Sequence, residues 1–170
     1  MMPPRRIAVI QGQYEVSCGD SDCCMTTVLG SCISVCMLDP VAGAGGMNHF
    51  LLGDSRPGEG VSASYGVNAM ELLINGLLKL GADRGRLHAH VHGGARMLAG
   101  LSDVGARNAD FAIGFLRREG IGVIGQSLGG RRARRVDFWP ASGLVRESFV
   151  RETEVAPPQP RIRSGTVELF

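Results

Sequence analysis

Thr26-Thr27-Val28-Leu29-Gly30-Ser31-Cys32-Ile33-Ser34-Val35-Cys36 is followed, past Asp39-Pro40, by Gly45-Gly46-Met47-Asn48-His49-Phe50. Residues 32–38 form a short run rich in β-formers that Asp39-Pro40 ends, and residues 46–52 form the next such run. Two adjacent strands with a short glycine connection read as a hairpin. Gly30-Ser31 can make a sharp turn that exposes the Cys32 side chain where its strand begins. Backbone amides in such a turn can face an oxyanion, as positioned amides do in acyl transfer. Cys36, mid-strand, reads as a packing residue. In a paired hairpin His49 lies beside Cys32, although spacing alone does not set the register. A thiol is a useful nucleophile only as thiolate, and a nearby imidazole is the commonest way to generate it. The segment therefore points to cysteine hydrolase or transferase chemistry. A hydroxyl can orient such an imidazole. Thr26 and Thr27 are both candidates for that role, and both are ordinary β-branched strand content.

The rest of the chain bounds this idea. A chain of 170 residues with 44% hydrophobic content fits one globular domain with a real core. With 5% aromatics and 25 glycines, that core is aliphatic and the chain turns tightly. A net charge of +2 is too small to argue for nucleic acid. No apolar run approaches the ~20 residues of a membrane span, and the N-terminal apolar block at residues 7–10 is too short for a secretory signal. A cytoplasmic protein is expected. Its five cysteines (Cys18, Cys23, Cys24, Cys32, Cys36) are an odd set crowded into one end, which suits free thiols.

Residues 6–16 read as a strand broken at Gln11-Gly12-Gln13. Residues 17–22 are turn-like, and residues 53–64 a polar glycine-rich loop. Residues 65–80 show the clearest helical periodicity, with Val67, Met70, Leu73, Ile74, Leu77 and Leu78 on one face and Gly81 as a stop. Residues 86–92 read as a strand, 108–119 as a second amphipathic helix, and 121–126, 134–139 and 144–150 as three more strands. The fold class expected is α/β: a layered sandwich of mixed β-strands flanked by two long helices, a single domain over residues 1–150. Residues 151–170 form an extended tail with Pro157, Pro158 and Pro160.

Other clusters read more plainly. His88, His90 and His92 alternate, so they share one strand face, but the outer two lie ~13 Å apart at ~3.3 Å per residue. One ion could take only a neighbouring pair, and a structural role is expected. Cys18, Cys23 and Cys24 lack zinc spacing. Arg131, Arg132, Arg134 and Arg135 read as a solvated hairpin edge. Gly93-Gly94-Ala95 and Gly129-Gly130 resemble tight turns, and neither matches a nucleotide-binding pattern.

Taken in order, these blocks resemble the CheD-type chemoreceptor glutamine deamidases. The resemblance runs through Leu29-Gly30-Ser31-Cys32, Gly46-Met47-Asn48-His49 and Tyr65-Gly66 with Ala69-Met70. It continues through Gly93-Gly94-Ala95-Arg96-Met97, Gly105-Ala106-Arg107-Asn108, and Gly129-Gly130 with Ala133-Arg134 and Val136. The resemblance implies a layered α/β sandwich that needs no cofactor. It implies Cys32 as nucleophile, His49 as base and Thr26, rather than Thr27, as the orienting hydroxyl. It implies hydrolysis of glutamine side chains to glutamate in methyl-accepting chemotaxis receptors, with a CheC-type phosphatase as a further partner in some bacteria. Two departures stand out: Ser127 occupies a position where the family usually carries an acidic residue, and the His88, His90, His92 triplet is unusual there. The rival expectations are a non-catalytic adaptor for receptors or a CheC-type phosphatase and, further off, a cysteine protease or transglutaminase.

Overall fold

The computed structural model describes residues 2–52, 61–97 and 103–151. The expected tail therefore lies, apart from Arg151, outside the described residues. Nine strands are described: β1 (Arg5–Ala8), β2 (Tyr14–Cys18), β3 (Cys23–Leu29), β4 (Ile33–Asp39), β5 (Ala44–Asn48), β6 (His88–Gly93), β7 (Gly122–Leu128), β8 (Arg134–Trp139) and β9 (Leu144–Phe149). Two α-helices, α1 (Val61–Lys79) and α2 (Val104–Arg118), and a single 3-10 turn at Arg84–Arg86 complete the chain order. The strands form a four-stranded sheet, β1-β3-β8-β9, and a five-stranded sheet, β2-β5-β4-β6-β7. Both mix parallel and antiparallel neighbours. The α/β sandwich with mixed strands and two long helices is thus the observed fold.

The layers run four-stranded sheet, five-stranded sheet, helices. One core packs Ile33, Val35, Met37 and Phe50 against Met70, Leu73, Ile74 and Leu77 of α1 and Ala112, Phe115 and Leu116 of α2. The other fills the space between the sheets with Met25, Leu29, Cys36, Leu38, Met47, Val136 and Phe138. β4 belongs to both. All seven of its residues are buried, as expected of a strand covered on both faces. This is why residues 33–38, Ser34 aside, are apolar on both faces.

The hairpin is real: β4 and β5 pair antiparallel, with Cys36 opposite Met47 and Leu38 opposite Gly45. Its turn is fastened by Asp39, whose buried carboxylate accepts from the Val41, Ala42 and Asp83 amides and from the Arg86 guanidinium. These bonds, Arg86 first, hold the Asp39 carboxyl well below the usual carboxylate range. Several boundaries differ from expectation: the strand expected over residues 46–52 is β5, which ends at Asn48, with Phe50 joined to Ile33 by an isolated bridge. Residues 23–29 form β3, because the ladder to β8 recruits them. Helix α1 begins at Val61, inside the stretch expected to be a loop. Helix α2 begins four residues before Asn108, where the Asp103 side chain caps it by accepting from the Ala106 amide.

Candidate active site

Cys32 sits at the bend just before β4, half-buried, with its strand fixed by an Ile33–Phe50 backbone pair: each amide donates to the other's carbonyl at 2.9 Å. Ile33 and Phe50 face the helices. Their neighbours Cys32 and His49 therefore face the other way, together, toward the four-stranded sheet. The hairpin register thus brings the two candidate residues to one side of the sheet.

The Cys32 bend is held from behind by its carbonyls. Gly30 O accepts from the Ala95 amide at 3.0 Å, and Cys32 O from the Gly94 amide at 2.9 Å. Ser31 O accepts from Asn108 Nδ2 at 2.8 Å. Asn108 is fully buried, and its Oδ1 accepts from the Leu52 amide at 3.1 Å, so one side chain ties the cysteine turn to the segment after His49. Asn108, expected at the start of the second helix, lies inside α2 as a clamp. Gly93, at φ +114°, presses so close that a Cβ there would lie 2.1 Å from the Cys32 carbonyl oxygen. The Gly93-Gly94-Ala95 block is therefore the bed of the cysteine turn. Behind it, Gly93 O accepts from the Gly129 amide at 2.9 Å. Arg134 locks that second glycine loop by donating to Ser127 O, Ser127 Oγ and Gly129 O. Arg134 is 2% exposed, so this member of the arginine cluster is a buried clamp and not part of a solvated edge. Ser127, the departure noted in the sequence, supplies two of the acceptors Arg134 needs.

His49 is buried, and its ring is held at one nitrogen. Nδ1 lies 2.7 Å from Thr27 Oγ1 and 3.3 Å from Val9 O. Thr27 Oγ1 donates its proton to Val9 O at 2.6 Å. A hydroxyl that has spent its proton on a carbonyl can only accept, and Val9 O can only accept, so the proton between them must sit on His49 Nδ1. This tautomer leaves Nε2 with its lone pair available as a base. Burial holds the imidazole below its ordinary value, more than the Val9 contact raises it. Burial likewise pushes the Cys32 thiol up to about 11. The resting pair is therefore a neutral thiol and a neutral imidazole.

The Thr26 and Thr27 hydroxyls take different partners. Strand alternation in β3 turns Met25, Thr27 and Leu29 inward and Thr26 outward, where its hydroxyl donates to Asp137 Oδ1 at 2.7 Å. Thr27 holds His49 instead. Thr27→Val is expected to lower kcat on the order of 10- to 100-fold, through loss of imidazole orientation, with Thr27→Ser restoring most of it. Thr26→Val should leave kcat within about twofold while weakening the Asp137 cluster. Steady-state rates of the three variants, beside urea midpoints, check this.

The histidine triplet lies on β6, with His90 and His92 rings stacked at 6.4 Å and His92 Nδ1 3.5 Å from Glu147 Oε1 of β9. It bridges the two sheets. All five cysteines are free. Among the described residues no helix is long and apolar enough to cross a membrane.

The fold is a β-β-α sandwich of the α/β class, with Cys32 and His49 on the same side of the five-stranded sheet. The chain belongs to the CheD family: residues 51–148 match the family described as CheD chemotactic sensory transduction. That match begins just after His49, but relatives cover nearly the whole chain. A Caulobacter vibrioides protein, 52% identical over 97% of this chain and 93% of its own, is named probable chemoreceptor glutamine deamidase CheD. Proteins of the same name from Agrobacterium fabrum and Rhizobium meliloti are 55% and 47% identical, over 84% and 98% of this chain and 79% and 96% of theirs. Among solved structures, a Neisseria meningitidis protein aligns over 75% of this chain and 63% of its own, at 12% identity and a TM-score of 0.45.

Proposed function

We propose that this chain hydrolyses glutamine side chains of chemotaxis receptors to glutamate, with Cys32 as nucleophile, His49 as base and acid, and Thr27 as the residue that positions His49. The observation that carries this reading is the Val9–Thr27–His49 chain, which fixes the imidazole in the tautomer a base requires, on the face that also bears Cys32. His49 Nε2 takes the thiol proton as Sγ attacks the glutamine Cδ. Three successive carbonyls of the cysteine turn are occupied from behind. The amides of that turn are the donors for the developing oxyanion; losing one such donor typically costs about 2.7–4 kcal/mol. Protonated His49 then gives its proton to the departing ammonia. A water deprotonated by His49 hydrolyses the thioester, leaving glutamate and the free thiol. No step calls for a cofactor. Each turnover places a negative charge on a receptor's helical cytoplasmic region, which fits the cytoplasmic location expected of the chain. We place this activity within residues 1–150.

The test is mass spectrometry of a purified receptor cytoplasmic fragment incubated with the protein. Shifts of about one mass unit per site, mapped to glutamines, with ammonia released and no peptide cleaved, support the reading. Binding of the fragment, or of a CheC-type phosphatase, with no mass shift would favour the adaptor instead.

The neutral resting pair also sets a pH profile. Protonating His49 removes the base, so kcat/KM falls on the acid side only as pH drops through an imidazole value below 6.5. The thiol value of about 11 places the alkaline limb far above neutrality. A plateau from about pH 7 to pH 10 is expected. An alkaline fall near pH 8–9 would instead indicate a preformed thiolate–imidazolium pair.

A further inference from the structure

The Cys32 thiol has a partner that the mechanism above leaves unused. Its Sγ donates to Oε1 of Gln11 at 3.7 Å. Gln11 stands at the tip of a tight turn in which the Gln13 amide donates to Ile10 O at 2.9 Å and Gly12 takes φ +88°. These are the marks of a type II turn, with Gln11 at its first central position. The turn is fastened to the backbone of His49 on both sides. The Gly12 amide donates to His49 O at 2.8 Å, and the His49 amide donates to Gln13 O at 3.1 Å. The Ile10 amide closes the turn further by donating to Gln13 Oε1 at 3.2 Å. A rigid turn anchored on the base thus presents an exposed glutamine side chain to the nucleophile.

Resting on the glutamine-deamidase reading, we infer that Gln11 is a resident carboxamide, which occupies Cys32 in the free protein as a competitor of the substrate glutamine and must swing away before attack. The group is chemically identical to the substrate's. Its presentation is not: the carbonyl oxygen, as acceptor of the thiol proton, lies nearer the sulfur than the carbon does. Attack needs the reverse, with carbon toward sulfur and oxygen toward the turn amides. Gln11 is therefore held on the nucleophile without being consumed. Displacing it is a matter of side-chain rotation only, because the carboxamide is exposed and the turn backbone keeps its own bonds. Apparent substrate affinity is reduced by the fraction of molecules in which Gln11 is docked.

The experiment compares wild type, Gln11→Ala and Gln11→Asn. Asparagine keeps a carboxamide but is one methylene too short to reach Sγ, so it separates lost reach from lost turn structure. The first readout is the rate at which iodoacetamide alkylates Cys32, followed on the Cys32 peptide, with urea midpoints confirming that all three proteins fold alike. Both variants are expected to react about two- to tenfold faster than wild type. The second readout is KM for the receptor fragment, expected to fall by a similar factor and by more than kcat changes. Alkylation at the wild-type rate in both variants overturns the inference, whatever the receptor assay gives. Faster alkylation without receptor deamidation upholds the thiol–carboxamide contact and overturns the deamidase reading alone.

Discussion

Cys32→Ala is expected to abolish receptor deamidation, a loss of roughly 10⁴-fold or more when a covalent nucleophile is removed, while the protein stays folded. The half-buried side chain contributes little to the core between the sheets, where it packs only at the margin. Removing one sulfur there should cost at most about 1 kcal/mol. The backbone bonds that shape the turn, Gly94 to Cys32 O and Ala95 to Gly30 O, do not involve the thiol. The variant should therefore bind receptor fragment normally and give no mass shift. Rapid retained deamidation would remove Cys32 from the mechanism. Cys36→Ala is the matching control. That thiol is buried within β4, is pushed up to about 12 by its surroundings, and should be dispensable for turnover.

Gly93→Ala is expected to damage both stability and activity. The residue holds φ +114°, a conformation that a side chain strains, and its new Cβ would overlap the Cys32 carbonyl oxygen. No flexible side chain can yield there, because the obstacle is backbone. Relief requires β6 to move away from the cysteine bend, breaking the bond from the Gly94 amide to Cys32 O. The expected cost is about 3 kcal/mol or more. A folded fraction rescued at low temperature should still show reduced kcat, since the amides proposed for the oxyanion move with the bend. Urea midpoints for the wild type and Gly93→Ala, followed by rates on the folded fraction, check this. Gly19→Ala provides contrast: also at positive φ (+72°), but with nothing within 4 Å, it should lose stability through backbone strain alone.

Much of this was legible in the chain. The hairpin of residues 32–38 and 46–52 could be read because a turn of glycines joins two runs with strong β content, and pairing follows from adjacency. That Cys32 and His49 share one side of the sheet could be read because their two strands are adjacent and pair antiparallel. Thr27 could not be separated from Thr26, because the choice depends on which face of β3 meets the other sheet, a fact of tertiary packing. Arg134 looked solvated because its neighbours Arg131, Arg132 and Arg135 are. Its burial follows from the carbonyls of residues 127 and 129 converging on it across a turn. Gln11 was visible only as part of a strand break; its place on the thiol needs the turn to be docked on His49. Asn108 lay in a recognisable block, yet the bonds it makes reach 77 residues away and have no local signature.

β4 runs through both cores with every residue buried, and the candidate nucleophile is the residue immediately before it. Amides in the middle of such a strand are expected to exchange with solvent through opening of the whole molecule, as those of core strands do. The geometry of the bend at Cys32, the proposed nucleophile, is thereby tied to the cooperative unit itself rather than to a peripheral loop. In rising denaturant, activity and tertiary structure should vanish together, with no inactive yet folded species between them. For a member of the CheD family, that coupling makes the enzyme all-or-none: a molecule damaged enough to lose its fold is also silent.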